Sequence, residues 1–251
     1  MPSVKSTLKE LLFAITPAQL RNFYVKEEFK RLPSMMEYSN YEYYGQEGED
    51  LVLQRFFHDK NSGFFVDVGA HHPIRFSNTY HFYHQGWRGV NIDAMPSSMN
   101  AFKEVRPLDF NIESPVSDSS DPVTFYIFEE PALNTFDPEV AKLHQEKGWP
   151  LAEKRELKPS SLEKILDGLS IPNVIDFMSI DVEGHEMNVL RSNNWEKYAP
   201  TMILIEMLNS DMENVKQNPL HLFLESKQYK IVAKTYYTFF YKRQEASGVL
   251  S

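Results

Sequence analysis

No cysteine occurs in the 251 residues. Disulfides and thiolate metal sites are therefore excluded, and a reducing compartment is compatible with the chain. Dense blocks of lysine and arginine are missing too. The balance is 35 acids against 26 bases, a net charge of −9, so no nucleic-acid partner is expected. Long apolar runs are also absent. The opening stretch, MPSVKSTLKELLFAITPAQL, has a short apolar segment broken by Lys9, Glu10 and Pro17. It is too short to span a bilayer and lacks the uninterrupted core and cleavage site of a secretory signal. No membrane span and a cytoplasmic location are expected. Internal repeats and low-complexity tracts are not found. One further absence matters most: no G-x-G-x-x-G follows any strand pattern, so a dinucleotide's pyrophosphate has no glycine cradle.

What is present suffices for one large globular domain, at 42% hydrophobic and 14% aromatic residues. Residues 1–40 read as an N-terminal helical arm, because Leu8, Leu11, Leu12 and Ile15 fall at helical spacing. The arm either caps the main domain, residues 41–251, or serves as a homodimer contact. Beyond it, strand and helix patterns alternate. A helix after Gly48 is followed by strands GFFVDVGA (63–70) and GVNID (89–93), with a helix opened by Ser77 and Asn78 between them. The stretch 110–118 reads as a third strand and its exit loop, and 122–129 as a further strand or an insertion beside the third; then comes an irregular, proline-bearing connection at 131–158 of the kind that forms binding loops. Helix 161–169, a strand entering the turn DVEGHE, strand TMILIEML (201–208) and a helix from Pro219 complete the alternation. The aromatic, β-branched stretch 229–243 closes as a hairpin. Such alternation predicts an α/β fold: a doubly wound, Rossmann-like three-layer sandwich, mostly parallel, with an antiparallel C-terminal hairpin.

In such sheets the ligand lies outside the carboxyl ends of the strands. Asp67, Asp93, Asp181 and Glu206 all fall at strand ends. Clustered like charges cost energy unless a ligand or cation uses them. Asp93, 26 residues beyond Asp67, is placed to accept hydrogen bonds from both hydroxyls of a ribose. The turn DVGAHHP has one glycine and then Pro73. It suits a cofactor with ribose but no phosphate, and the cationic S-adenosylmethionine is the common one.

The stretches FVDVGAHHPIRFSNTYHFYHQGWRGVNIDAMP, PVSD, MSIDVEGHEMNVL and MILIEML, with GQEGEDLVL upstream, together resemble the FkbM family of class I S-adenosylmethionine-dependent methyltransferases. The resemblance runs from about Tyr44 to the C-terminal hairpin and departs from the family after Ala70, where His71, His72 and Pro73 stand. It implies that Asp67, Gly69, Ala70 and His71 line the methionine part of the cofactor. It implies Asp93 on the ribose with Ala94 and Met95 beside the adenine, and Ser117 and Asp118 at the adenine edge. Asp181 would lie by the transferring methyl, and Gln46 and Glu47 would close over the cofactor.

Methyl transfer is an in-line displacement, and a hydroxyl acceptor needs a base for its proton. His185 is the first candidate, with His72, His81 and Asp181 as others. Asp181, Glu183, His185 and Glu206 offer hard ligands for a divalent metal, but at no recognised metal spacing. Glu183 and Glu186 could equally serve the start of the following helix. Tyr43, Tyr44, Trp87 and Trp195 could stack on a sugar, or pack in the core. The function expected is an O-methyltransferase acting on a small sugar, nucleotide-linked or a surface-polysaccharide precursor. The alternatives are a nicotinamide-dependent oxidoreductase and a non-catalytic cofactor-binding domain.

Overall fold

Strand patterns with apolar residues on both faces can be buried only in the middle of a layered structure. The computed structural model, which describes residues 42–208 and 210–244, places them there. The proposed arm, residues 1–40, lies outside the described residues. In chain order the elements are α1 (Glu49–Phe56), β1 (Phe64–Val68), α2 (Tyr80–His84), β2 (Arg88–Asp93), α3 (Met99–Val105), β3 (Phe110–Glu113), β4 (Val123–Phe128), α4 (Pro138–Glu146), β5 (Leu151–Leu157), α5 (Leu162–Asp167), β6 (Phe177–Ile180), α6 (Glu186–Arg191), β7 (Met202–Glu206), α7 (Pro219–Ser226), β8 (Tyr229–Lys234) and β9 (Thr238–Arg243). None of the described helices is long and apolar enough to cross a membrane.

Seven strands form one sheet in the order β3-β2-β1-β6-β7-β9-β8. The first five are mutually parallel. The last two are antiparallel, as β9 pairs against β7 and β8 against β9. The predicted sandwich and terminal hairpin are therefore present. The period of two along β1 sorts its side chains between two layers. Phe64, Val66 and Val68 pack with Leu162 and Leu166 of α5, Val189 and Leu190 of α6 and Leu224 of α7. Phe65 goes to the opposite face with Leu53 of α1, Phe82 of α2 and Trp87. Each of these large side chains, fully buried, contributes about 1.5–3 kcal/mol. Trp87 is thus a core residue among Phe57, Phe82 and Phe177. Trp195 likewise packs on Phe223 and Tyr229.

Residues 131–158 are more regular than the sequence reading expected. A 3-10 turn (Pro131–Leu133) precedes α4, which starts because Asp137 accepts from the amides of Glu139 and Val140 and Pro138 occupies the first turn. β5 then pairs antiparallel with β4 in a separate two-stranded sheet. Its sequence, LAEKREL, hid this strand because it has one partner and lies largely exposed. The third strand ends at Glu113, and its exit loop follows through Pro115. Residues from β4 to β5 therefore form an insertion off the main sheet.

Candidate active site

From β1 the chain moves outward to β2 and β3, then returns to the other side of β1 with β6. The switch point lies between β1 and β6, and there the loops diverge and leave a crevice. An open cleft of about 910 Å³, solvent-facing space included, occupies that position. Val68, Gly69, His71 and Phe76 line it after β1, and Ile92, Asp93, Ala94 and Met95 after β2. Ser114, Pro115 and Val116 follow β3, and Asp181, Val182, Glu183 and His185 follow β6. Gln46 reaches in from the segment before α1, and Phe125, Pro131, Ala132, Asn134 and Phe136 from the insertion.

Gly69 explains why β1 and β6 can approach so closely. Its φ is +85°, and a Cβ there would lie 1.6 Å from the backbone oxygen of Asp181. The amides of Gly69 and Ala70 both donate to the Ile92 carbonyl, at 2.9 and 3.0 Å. Ala70 itself turns away, to Met99 and Phe102 of α3. Asp93 is held from both sides: its carboxylate accepts from the amide of His71 at 2.8 Å and of Met95 at 2.7 Å. Burial raises its pKa, and these two bonds oppose the rise. Each oxygen retains a lone pair for a ligand hydroxyl. The cleft walls carry left-handed residues with side chains, His71 at φ 52°, Phe76 at 56° and Glu183 at 50°. Such strain persists only where the surroundings over-determine it.

Not every residue named from the sequence reaches this cleft. Asp67 is buried on the far side of β1, where it accepts from Thr79 Oγ1 at 2.8 Å. Burial pushes its pKa up to about 6 against the pull of Thr79 and Arg106. The Glu47 carboxylate accepts from the Tyr237 amide at 3.0 Å, tying the segment before α1 to the β8–β9 tip. Ser117 is buried, and Asp118 accepts from Asn188 at 2.9 Å; residues 114–116 line the cleft in their place. The His72 ring accepts from the amides of Ile74 and Arg75 through Nδ1, which closes a local turn. His81 sits on α2 beside Gln85, off the cleft. Tyr44 packs edge-on to Tyr80, while Phe76, Phe125 and Phe136 are the aromatic rings of the cleft wall.

At the β6 side the acids gather. Asp181, Glu183 and Glu206 each offer an oxygen within 4.8 Å of the others. One Glu206 oxygen has no hydrogen-bond partner. Burial raises the pKa of all three, and the neighbouring acids raise it further. Glu186 is used differently: it accepts from the amides of Val182 and Gly184 and stabilises the turn before α6. His185 packs its ring on Phe136 at 5.4 Å, and its Nε2 has no partner. Burial lowers its pKa, with Asp118 and Asp137 opposing, so the neutral ring is favoured. The insertion secures this turn, as Thr135 Oγ1 donates to the Glu183 carbonyl at 2.6 Å.

A carboxyl that holds its proton more tightly folded than unfolded favours the fold at low pH and loses that contribution as pH rises. For the Asp181–Glu183–Glu206 group the loss starts near pH 4, where the unfolded carboxyls titrate, and continues to the raised folded values. Glu206→Gln is therefore expected to stabilise the free protein at about pH 8 by on the order of 1 kcal/mol, or roughly 2–4 °C in Tm. The gain should vanish near pH 4–5. Thermal unfolding across that range checks it; a gain independent of pH would contradict the shared-charge account.

A family model described as Methyltransferase FkbM domain matches residues 67–231. No curated protein matches the chain. Among solved structures, the precorrin-6y C5,15-methyltransferase of Geobacter metallireducens GS-15 is similar at 12% identity, over 80% of this chain and 91% of that one, with a TM-score of 0.41. The family match takes in the strands and turns that build most of the cleft and covers more than half of the sequence. The chain belongs to the FkbM methyltransferase family, which makes S-adenosylmethionine its implied methyl donor.

Proposed function

We propose that this methyltransferase moves the methyl group of S-adenosylmethionine to a hydroxyl oxygen of a small sugar. The observation that carries the reading is the unpartnered Nε2 of a ring kept neutral by burial, that of His185, on the wall of the cleft. A hydroxyl nucleophile has a proton to lose as its bond forms, and such a nitrogen can take it.

The cleft's residues fit the donor. Its bend has one glycine and so offers no cradle for a diphosphate. Asp93 is oriented by two amides to accept the ribose hydroxyls, with Ala94 and Met95 beside the base. Asp181 and Glu183 stand on the cleft wall, where a bound cationic donor would favour their ionised forms. The bound donor supplies a methyl carbon already activated by positive sulfur. His185 then receives the acceptor's proton as the carbon–oxygen bond forms and the carbon–sulfur bond breaks, the electron pair staying on sulfur. Phe125 and Phe136 offer apolar faces to a sugar ring, and Asp181 and Glu183 accept its other hydroxyls. The carboxylate set is also of the hard-oxygen type that magnesium or manganese takes, so a chelator belongs in the assay.

Calorimetry with S-adenosylhomocysteine and with NAD tests the cofactor, and transfer of labelled methyl to a nucleotide-sugar panel, with and without chelator, tests the acceptor. Binding of NAD in place of the homocysteine compound, or methylation confined to amines, would overturn the reading. Within it, Asp93→Ala should weaken S-adenosylhomocysteine binding by about 1–3 kcal/mol, the loss of hydrogen bonds to a charged acceptor. Unaltered affinity by calorimetry would remove the ribose assignment.

A further inference from the structure

An arginine is seldom buried without a task. Arg106, at the C-terminal end of α3, has 0% exposure. Removing a guanidinium from water is costly unless its donors are all engaged. Here Nε donates to the Pro73 carbonyl at 2.8 Å, and Nη2 reaches the same oxygen. Nη2 also donates to Ser77 Oγ at 2.6 Å. Nη1 donates to Thr79 Oγ1 at 2.8 Å and to Asn91 Oδ1 at 3.1 Å. Thr79 Oγ1 passes its own proton's hydrogen bond to Asp67. The rings of Tyr80, Phe102 and Tyr83 stand 5.3, 5.5 and 5.7 Å from the guanidinium carbon.

These partners share a location. Pro73 and Ser77 belong to residues 71–77, which have no helix or strand of their own. That segment carries His71 and Phe76, both on the cleft wall and both in left-handed conformations. The two rings stack, with centroids 6.2 Å apart. A left-handed bulky residue costs about 1–2 kcal/mol, so the surroundings must hold it in place. The arginine grips the segment at Pro73, between the two strained residues, and at Ser77, just beyond Phe76. It joins that segment to β2 through Asn91, and to β1 through Thr79 and Asp67.

We infer that Arg106 is a positioning residue for the cofactor: its planar fork holds residues 71–77 so that His71 and Phe76 form one wall of the cleft and the His71 amide orients Asp93. The inference rests on reading that cleft as the S-adenosylmethionine site. Lysine keeps the charge but cannot reproduce a five-donor fork.

The test is calorimetry with S-adenosylhomocysteine on the full chain, beside thermal unfolding and steady-state kinetics. Arg106→Lys should raise Kd and the KM for the donor by about tenfold, as loss of a supporting contact does at other ligand sites, while kcat at saturating donor stays near the parent value. Ser77→Ala removes one limb of the fork together with the acceptor of the Thr79 and Tyr80 amides; it should raise Kd severalfold and lower Tm by a few degrees. A purely structural role would lower Tm and leave the Kd of the folded protein as it was. Unchanged Kd in Ser77→Ala and in folded Arg106→Lys overturns the inference; if Arg106→Lys does not fold, Ser77→Ala decides alone. Failure of the parent chain to bind the ligand overturns the reading of the cleft instead.

Discussion

Gly69→Ala is expected to lower stability by about 3 kcal/mol or more, and Tm by roughly 6–12 °C, with S-adenosylhomocysteine affinity reduced beyond about a hundredfold. Two costs add. The positive φ of +85° disfavours any side chain, and the new Cβ would overlap the Asp181 oxygen at 1.6 Å. The overlap is with backbone, so no side chain can rotate away from it. Only separation of the ends of β1 and β6 relieves it, and those ends form the floor of the cleft. Gly148→Ala is the matched control. Its φ is +89° but nothing lies within 4 Å of the added carbon. It should cost about 1 kcal/mol from the backbone alone and leave binding unchanged. Calorimetry and thermal unfolding of both variants check the argument. Equal behaviour of the two would show that the close approach of β1 and β6 is not what the glycine serves.

His185→Ala is expected to reduce kcat by about 10²–10⁴, the usual contribution of a positioned base. S-adenosylhomocysteine affinity should stay within about twofold, because the proposed role of the ring is to take the acceptor's proton and not to hold the donor. The pH profile gives a second reading. A base works in its neutral form, so turnover is retained above the His185 pKa and falls as acid protonates the ring. Burial lowers that pKa below the ordinary histidine value, which carries the acid limb below about 6.5. The variant should lose that limb. Full turnover in His185→Ala would transfer the role to a carboxylate. Asp181→Asn, which lies in the cleft beside it, would then be the variant that loses activity.

The acids show how far residue patterns reach. Asp67, Asp93, Asp181 and Glu206 were all legible as strand-end carboxylates, because a buried apolar run that stops at an acid marks where a chain leaves the sheet. Their uses were not legible. Asp93 and Asp181 line the cleft, while Asp67 faces the buried layer on the other side of β1. Glu47 and Glu49 bind the hairpin tip through Tyr237 and Thr235. Those partners lie nearly two hundred residues away in sequence, and nothing local in QEGED names them. The second half of the insertion escaped for another reason. Its strand β5 is polar along most of its length, so alternation gave no signal, and its pairing with β4 appears only in three dimensions.

From the order of residues alone came the layered α/β architecture, the closing hairpin, the single-glycine bend and the carboxylate that ends the second strand. Each of these rests on interactions between near neighbours or on burial of whole apolar segments, which composition and spacing record directly. Tertiary structure alone decided that Arg106 is buried against residues 73–79, that residues 114–116 and the insertion complete the cleft, and that Asp181, Glu183 and Glu206 meet. Those facts depend on which distant groups share one desolvated space. A side chain's charge and donors are written in its identity, but its partners are set by the packing of the other strands and helices around it.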